Sequence, residues 1–447
     1  MGESVKYKKH ISPPRLILLA FVLFIAVGTL LLKLPISAAG ESISWLDALF
    51  TATSAVCVNG LAVIDTGSSF STFGQVVIMI LMQIGGLGFM TLGVVIALLL
   101  GKKIRLRQQI VLQHTTQATS RRGLLQLSLY IFFISFIFEL IATIILTIRW
   151  SADMGLAQAS FYALFHSVSA FNNAGFALWS DSLSGYMSDP VINMTIMTLF
   201  IFGGLGYIVI VELFQKRSWK KFSLHTKIVL ATSAALIVIG FVLLLVLESL
   251  NPETFQNLTW GERIAAALFQ STTPRSAGFN TIDIHSMLSA SQLILIFLMF
   301  IGASSGGTGG GIKTNTFVVL ILATINTFRG GGQIHVFQRK IANETVMRAL
   351  AVVMSSLACV LFVALLLTIT EGMLEEHFLE VLFEATSAFS TTGLSMGLTT
   401  ELSPIGKVIV SITMFVGRLG PLTLAYALAT KKKSNKVGYP EDHVLIG

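Results

Sequence analysis

Charge is scarce in this sequence, and cysteine is scarcer still. Lys, Arg, Asp and Glu together make up only 12% of the 447 residues, whereas apolar residues make up 54% and the mean hydropathy is +0.80. A soluble chain of this length would need far more charge on its surface. Two cysteines, Cys57 and Cys359, are too few and too far apart for a disulfide framework or a cysteine metal site.

The apolar residues form eight long blocks. A helix of roughly 20 apolar residues crosses about 30 Å of hydrocarbon, and each block has about that length. Four blocks contain at most one glycine, namely Leu18–Leu32, Leu124–Trp150, Ile228–Leu247 and Ala349–Ile369, and four contain two or more, namely Val76–Leu100, Val191–Phe214, Leu293–Ile325 and Val408–Ala429. A signal peptide is the alternative for the first block, but its apolar run is longer than such a segment and the rest of the chain is equally hydrophobic. The blocks predict a multi-pass membrane protein.

The basic residues lie in alternate connections between these blocks. Five segments hold 24 of the 30 Lys and Arg residues: Lys6–Arg15, Lys102–Arg122, Lys216–Lys227, Lys313–Arg348 and Lys431–Lys436. The other connections hold most of the acidic residues. Lys/Arg bias sets orientation, so we expect both termini and the basic segments on the cytoplasmic side of the cell membrane. The net charge of +8 therefore predicts no nucleic-acid partner, and the acidic outer face would concentrate cations.

Four acidic-side connections align without gaps and place a glycine at the seventh position each time. These glycines, Gly60, Gly175, Gly278 and Gly393, are 115, 103 and 115 residues apart. The aligned segments are SAVCVNGL (Ser54–Leu61), SAFNNAGF (Ser169–Phe176), TTPRSAGF (Thr272–Phe279) and SAFSTTGL (Ser387–Leu394). Such a period indicates four copies of one unit.

A second repeated glycine motif, called the second echo below, follows each aligned loop, and its first glycine falls 24 to 28 residues after the aligned glycine. It reads IGGLGF (Ile84–Phe89), FGGLGY (Phe202–Tyr207), IGASSG (Ile301–Gly306) and VGRLGP (Val416–Pro421). We therefore predict an all-α integral membrane protein with four pseudo-symmetric helix–pore loop–helix repeats around one central pore. The units are expected at residues 1–100, 101–215, 216–330 and 331–447, the third with a broken second helix and the fourth with a short tail. Close helix packing is the alternative explanation of the glycines, most applicable to the second echo.

The four aligned glycine loops have the composition expected of a site that binds a cation through backbone oxygens. An ion that leaves water needs oxygen ligands in place of its hydration shell, and glycine lets successive backbone carbonyls turn toward one axis. None of the aligned loop side chains is acidic, so carbonyls are the expected ligands. The predicted filter consists of each glycine and the residue before it: Asn59, Gly60, Ala174, Gly175, Ala277, Gly278, Thr392 and Gly393.

The motifs LPIS (Leu34–Ser37), SAFNNAGF, TPRSAGFN (Thr273–Asn280) and GRLGPLT (Gly417–Thr423) resemble those of the Trk/Ktr/HKT superfamily of K⁺ and Na⁺ transporters, most closely the Ktr membrane subunit. The resemblance covers essentially the whole chain, and the family's filter glycines fall on the four aligned glycines. Serine at the first of these accompanies Na⁺ preference in that family, so Gly60 favours K⁺. Cys57 and Asn59 stand where many relatives carry threonine, which leaves the selectivity of the first loop open.

A glycine-rich stretch interrupts the second helix of the third unit. Ala303–Thr316 reads ASSGGTGGGIKTNT, and five glycines would cost a continuous helix roughly 5 kcal/mol. A nucleotide-binding P-loop is the alternative, but Ile312 is inserted in that motif and no strand precedes it. The family resemblance implies a gate below the filter, and the predicted gate residues are Ser304, Ser305, Gly306, Gly307, Thr308, Gly309, Gly310, Gly311, Lys313 and Arg418.

Arg418 is the only charge in the core of the last apolar block. A charge inside the membrane is a functional hypothesis by default, here an electrostatic barrier beside the pore; a structural arginine held by carbonyls is the alternative. Glu139 and Glu212 are weaker candidates, for which a position near a helix end is the alternative explanation. Glu384, in the fourth re-entrant helix, is expected to brace its pore loop.

The predicted function is the ion-conducting subunit of a K⁺ uptake system; the alternative is a Na⁺ or poorly selective Na⁺/K⁺ transporter of the same fold. An enzyme lacks support, since no cofactor fingerprint or nucleophile–base pairing is present, and an ammonium channel would need a His-lined pore. No covalently bound cofactor is expected. The resemblance implies a homodimer over a cytosolic nucleotide-binding ring of the RCK/KTN type, with ATP and ADP on that partner, and leaves Na⁺ activation as an option. Membrane lipid is the alternative contact for the basic segments.

Overall fold

The computed structural model describes residues 13–99, 121–331, 333–372, 377–421 and 423–424. Most of the predicted basic segments Lys6–Arg15 and Lys102–Arg122, and all of the tail Lys431–Gly447, lie outside the described residues, so the predicted cytoplasmic side rests on the sequence there.

The chain repeats one helical unit four times. The first helix of each unit is α1 (Pro13–Lys33), α4 (Arg121–Met154), α8 (Leu224–Glu248) and α12 (Asn343–Glu371). The re-entrant pore helices are α2 (Trp45–Cys57), α5 (Leu156–Phe171), α9 (Trp260–Thr272) and α13 (Phe378–Ser390). The second-span helices are α3 (Thr72–Leu99), α6 (Pro190–Leu205) with α7 (Tyr207–Lys216), α10 (Ser289–Phe300) with α11 (Thr314–Phe328), and α14 (Pro404–Leu419).

The remaining elements are short connections. They are the one-turn helices Thr66–Ser69 and Leu398–Glu401, the 3₁₀ turns Pro35–Ser37, Ser184–Tyr186 and Trp219–Lys221, and a two-stranded antiparallel hairpin of β1 (His335–Val336) and β2 (Arg339–Lys340).

Within the described residues, three helices are long and apolar enough to cross a membrane on their own: Leu129–Met154 within α4, α8 and α12. Their outward faces are apolar, as at Ile148, which is 71% exposed, and Val246, which is 64% exposed. In water such faces would be unfavourable, whereas hydrocarbon solvates them. The fold is therefore that of a multi-pass membrane protein.

The pore helices are too short to span. Three have 13 residues and α5 has 16, so they reach only about 20–24 Å at 1.5 Å per residue. Caps start two of them: the Ser44 hydroxyl accepts from the Asp47 amide, and Thr259 and Glu262 form a capping box. The phenylalanines that recur before each filter glycine, Phe50, Phe165, Phe269 and Phe383, are all fully buried.

The fourth unit returns to the first and closes the arrangement. Helix α14 packs on α2, and the Lys407 ammonium forms an ion pair with Asp47 at 2.7 Å. Adjacent units also join through their loops, as where the Leu183 amide donates to the Asn280 carbonyl at 3.0 Å. Helix contacts also join the second unit to the third and the third to the fourth, so the four units close into one arrangement.

The second spans depart from one expectation. We predicted a break in the third unit, where α10 does end at Phe300 and α11 begins at Thr314. In the second unit, however, α6 and α7 meet at 99°. The bend lies at Gly206, with φ 91° and ψ 138°, and the aligned Gly88 and Gly420 have φ 70° and 78°. Dihedrals of this kind are far from helical and are open mainly to glycine, so the second span of the second unit is bent as well, which the sequence analysis did not predict.

Candidate functional site: a ring of four pore loops

Each pore helix passes into an irregular loop with one shared backbone pattern. The fifth aligned residue is left-handed in all four loops, although none is glycine: Val58, Asn173, Ser276 and Thr391 have φ of 55°, 58°, 74° and 49°. The seventh residue is the glycine, with φ of 99°, 71°, 79° and 88° along the chain. A positive φ at valine or threonine is strained. Four equivalent strained positions show that the loops hold one common conformation.

The four glycines touch one another in chain order. The point at which a Cβ on Gly60 would stand lies 2.9 Å from Cα of Gly175, and the corresponding distance from Gly175 to Gly278 is 2.9 Å. A Cβ on Gly278 would stand 3.5 Å from Cα of Gly393, and a Cβ on Gly393 would stand 2.9 Å from Cα of Gly60. The contacts return to the first glycine, so the loops close a ring.

The space that each missing Cβ leaves is taken by a carbonyl of the next loop. A Cβ on Gly60 would stand 2.6 Å from the carbonyl oxygen of Ala174, and a Cβ on Gly175 would stand 3.2 Å from that of Ala277. At Gly278 it would meet the Thr392 oxygen at 2.4 Å, and at Gly393 the Asn59 oxygen at 2.1 Å. The four residues that supply these carbonyls are those that precede the glycines. A side chain at Gly60, Gly278 or Gly393 would therefore displace a carbonyl of the next loop, and one at Gly175 would crowd it.

Hydrogen bonds back to the pore helices fix these carbonyl-bearing residues. The amides of Asn59, Ala174 and Thr392 donate to the carbonyls of the first aligned serines, Ser54, Ser169 and Ser387, at 2.8, 2.8 and 3.0 Å. In the first and fourth loops the same serine hydroxyl also accepts from the glycine amide, at 3.1 Å each. In the first and fourth loops the serine thus holds both residues of the predicted filter.

Asn59 joins the first loop to the fourth. Its side-chain amide donates to the Ser387 and Ala388 carbonyls at 3.3 and 3.1 Å, and its Oδ1 accepts from the Leu61 amide at 3.2 Å. Cys57 is a buried free thiol at the end of α2. The unusual first loop therefore carries a residue that ties two loops together.

The second echo of glycines packs against the pore helices. A Cβ on Gly85 would stand 2.1 Å from the Val56 carbonyl oxygen, and one on Gly203 would stand 2.0 Å from that of Phe171. In the fourth unit the pair is Gly417 and Phe389, at 1.8 Å. Close approach is what small residues allow between membrane helices, and in these three units it packs the second span onto the end of the pore helix, whereas Gly302 of the third unit packs on Gly310.

The interrupted span of the third unit runs directly beneath the ring. The amides of Ser304 and Thr308 donate to the carbonyls of Gly204 and Gly203 at 3.0 and 3.2 Å. The Gly310 amide donates to the Ser276 hydroxyl at 3.0 Å, and a Cβ on Gly310 would stand 2.4 Å from Oγ1 of Thr391. The loop therefore contacts the pore loops themselves.

Two basic side chains, those of Lys313 and Arg418, stabilise this loop. The Lys313 ammonium donates to the Gly309 and Gly310 carbonyls at 2.6 and 3.3 Å. The guanidinium of Arg418 donates from one nitrogen to the Thr308 carbonyl and from the other to the Gly85 carbonyl. Arg418 thus connects the first, third and fourth units at the level just below the ring.

The three acidic residues discussed in the sequence analysis, Glu139, Glu212 and Glu384, differ in position and contacts. Glu139 lies in the middle of α4 and is 4% exposed, so the alternative explanation by a helix end does not apply to it; its carboxylate accepts from Gln83 and Asn172 at 3.3 Å each. Glu212 lies in α7, four residues before its last residue, Lys216. Glu384 accepts from Ser395 at 2.9 Å and from Thr399 at 2.6 Å and so braces the segment after the fourth loop.

Gln83 and Asn172 were not identified from the sequence. The Asn172 amide donates to Oε1 of Gln83 at 2.6 Å, which joins the second loop to the first unit. The signal was present, since Asn172 and Asn173 form the polar pair of SAFNNAGF, but nothing local shows what they contact.

Among the described residues, no three or more His, Cys, Asp or Glu side chains gather in a metal-binding cluster. What meets at the ring is uncharged backbone, four glycines that each lie beside a carbonyl oxygen of the next loop. Carbonyl rings replace the hydration shell of monovalent cations. The fold and the ring together define a membrane cation transport protein with four pore loops.

The chain belongs to the TrkH cation transport protein family, whose model matches residues 12–437. It is 44% identical to the Ktr system potassium uptake protein B of Bacillus subtilis over 98% of this chain and 97% of that protein. It is also 44% identical to the protein of the same name from Vibrio alginolyticus, over 97% and 95%, and 37% identical to the potassium/sodium uptake protein NtpJ of Enterococcus hirae, over 99% of each. The predicted family is confirmed.

Among solved structures, the potassium transporter TrkH from Vibrio parahaemolyticus matches with a TM-score of 0.72 at 21% identity, over 96% of this chain and 87% of that one. A match at this identity concerns the fold, and it confirms the predicted repeat architecture.

Proposed function

We propose that this chain is the ion-conducting membrane subunit of a K⁺ uptake system. The observation that carries the proposal is the closed ring in which each filter glycine leaves room for a carbonyl of the next loop. The names of two relatives at 44% identity, both potassium uptake proteins, support K⁺ as the substrate, in agreement with the prediction from Gly60. All the relatives named here are transporters by name, which supports a non-enzymatic role.

The roles of individual residues are part of this proposal. Asn59, Ala174, Ala277 and Thr392 would present their carbonyls to the ion, each beside its glycine. The loop from Ser304 to Gly311 would be the gate, held by Lys313 and Arg418. The loop's position under the ring supports this assignment, because an ion that leaves the ring toward the other side meets it first.

A Na⁺ or dual Na⁺/K⁺ transporter is the second candidate. One observation favours it: a relative at 37% identity over 99% of this chain is named a potassium/sodium uptake protein. Activation by Na⁺ is a related hypothesis and is separable by experiment.

We further propose that the protein lies in the cell membrane with both termini cytoplasmic. The sorting of 24 of 30 Lys and Arg residues onto alternate connections supports this orientation. The four units would divide near residues 100, 215 and 330.

A cytosolic partner completes the proposal. Two relatives are named as proteins of a Ktr system, and the word system supports more than one component. We expect a nucleotide-binding ring of the RCK/KTN type that carries the ATP or ADP, with a homodimer of this chain above it. The five basic segments offer the charge for docking such a ring.

Flux through the purified protein tests the proposed function. In vesicles that contain only this chain, K⁺ and Rb⁺ entry should exceed Na⁺ entry when the three ions compete. Equal entry of Na⁺ would favour the second candidate, and no cation entry in the presence of the partner would reject both.

A further inference from the structure

The residues that the gate loop holds are the strained residues of the filter loops. Thr308 of the gate loop donates its hydroxyl to Oδ1 of Asn173 at 3.0 Å. Gly310 donates its amide to the hydroxyl of Ser276 at 3.0 Å. Asn173 and Ser276 are the left-handed fifth residues of the second and third pore loops. Gate and filter are therefore joined by direct hydrogen bonds.

The hydrogen bond from Thr308 matters to the Asn173 side chain because that side chain is buried and has few partners. Asn173 is 1% exposed, and its Nδ2 has no hydrogen-bond partner among the described residues. Thr308 thus supplies the one side-chain hydrogen bond that the described structure gives this amide. A buried amide that loses its last partner pays a desolvation penalty, so release of Thr308 would favour a new arrangement of the second loop.

Thr308 is itself fixed from three sides. Its amide donates to the Gly203 carbonyl at 3.2 Å, its hydroxyl donates to Asn173, and its carbonyl accepts from Arg418. It is fully buried. A movement of the gate loop large enough to pass an ion would have to break such contacts.

Ser276 extends the connection to the fourth loop. Its hydroxyl contacts the Ser390 and Thr391 carbonyls, at 2.9 Å each, as well as the Gly310 amide. One hydroxyl proton can be donated to only one carbonyl at a time, while the Gly310 amide donates to the oxygen. Departure of Gly310 would remove this donor and free Ser276 to reorient beside Thr391, which is also left-handed.

We propose that the gate loop and the filter form an interlock, in which the closed gate holds the second and third pore loops in their K⁺-selecting shape through Thr308–Asn173 and Gly310–Ser276. Thr308 and Asn173 are then positioning residues for selectivity, although Thr308 is outside the ring. The inference rests on the proposed function. Its consequence is that gate release raises flux and lowers the K⁺/Na⁺ ratio together.

The test uses Thr308→Val, which keeps the shape and both backbone contacts but removes the hydroxyl. Thr308→Ser keeps the hydroxyl and is the matched control. In vesicles we expect Thr308→Val to lower the K⁺/Na⁺ flux ratio by about fivefold, the effect of one ordinary net hydrogen bond, and Thr308→Ser to stay near the parent. An unchanged ratio in Thr308→Val, with or without a rise in flux, would overturn the interlock.

A double variant tests whether the effect passes through Asn173. Asn173→Gly permits the same left-handed backbone and removes the side-chain amide that accepts from Thr308. If the hydroxyl–amide bond carries the coupling, Thr308→Val should change the ratio no further in the Asn173→Gly background. Two effects that add fully would overturn the assignment.

A second measurement separates this inference from the proposed function. The difference between the melting temperatures in KCl and in NaCl reports ion binding without transport. If the parent carries no K⁺ flux, the proposed function fails, and a K⁺-specific stabilisation that shrinks in Thr308→Val but not in Thr308→Ser would still support the interlock. The same stabilisation in parent and Thr308→Val would overturn it.

Discussion

The carbonyl oxygen of Asn59 lies 2.1 Å from the point where a Cβ on Gly393 would stand, although the two residues belong to the first and last of four repeats. This contact closes the ring of pore loops. It also explains why the position must be glycine: a methyl group there cannot coexist with the carbonyl, and the φ of 88° is itself unfavourable for other residues.

We therefore expect Gly393→Ala and Gly60→Ser to weaken K⁺ discrimination. Each added side chain displaces a ring carbonyl, of Asn59 in the first case and of Ala174 in the second. We expect the K⁺/Na⁺ flux ratio to fall by at least about tenfold, since each displaced oxygen is a strong ion contact worth more than about 1.4 kcal/mol. Gly261→Ala is the matched control, because a Cβ there meets nothing within 4 Å. Identical ratios in Gly60→Ser and the parent would remove the first loop from the filter.

Removal of Ser304–Gly311 should raise K⁺ flux. The segment lies beneath the ring and contacts three of the four pore loops, at Asn173, Ser276 and Thr391. Initial rates of ⁸⁶Rb⁺ entry into vesicles measure the effect, with the fraction of inserted, monodisperse protein as the control. A well-inserted deletion variant with lower flux would identify the loop as a support for the pore loops instead of an occlusion.

Arg418→Gln should also raise flux, because the guanidinium links the Thr308 carbonyl of the gate loop to the Gly85 carbonyl of the first unit. Arg418→Lys separates bridging from charge: an ammonium keeps the charge but lacks the planar fork that reaches two carbonyls. We expect the lysine variant to resemble the glutamine variant. If it instead matches the parent, the electrostatic barrier is the correct role.

Gly206→Ala should destabilise the protein. The residue has φ 91° and ψ 138°, and an added Cβ would stand 2.7 Å from the Ser305 carbonyl oxygen. Strain of this kind costs on the order of 1–3 kcal/mol. Thermal unfolding in detergent checks this, with Gly261→Ala again as the control. An unchanged melting temperature would mean that the 99° bend can straighten without loss.

The partner prediction is tested by gentle purification from the native membrane. We expect a soluble subunit to co-elute, and K⁺ flux to respond to ATP and ADP only when it is present. The physical reason is that the nucleotide site is expected on the partner, whose docking would move the basic segments of this chain. A chain that elutes alone with full, nucleotide-insensitive transport would contradict the partnership and leave the pore unaffected.

The repeat and the family could be predicted from the sequence because both depend on local signals. Apolar blocks of spanning length, a glycine at the seventh position of four loops and the Lys/Arg bias all lie within short segments. The break between Phe300 and Thr314 was also predictable, because several consecutive glycines make a helix unfavourable whatever surrounds them.

The contacts that shape the site could not be predicted in this way. Thr308 meets Asn173 across 135 residues, and Arg418 meets Gly85 across 333, separations at which no periodicity identifies a partner. The bend at Gly206 was missed because a single glycine inside an apolar block is compatible with a helix, and its dihedrals are set by the loop that packs against it. The sequence by itself determined four equivalent loops in a membrane; the tertiary structure decided which carbonyl fills the space beside each glycine, since that depends on how four distant segments converge.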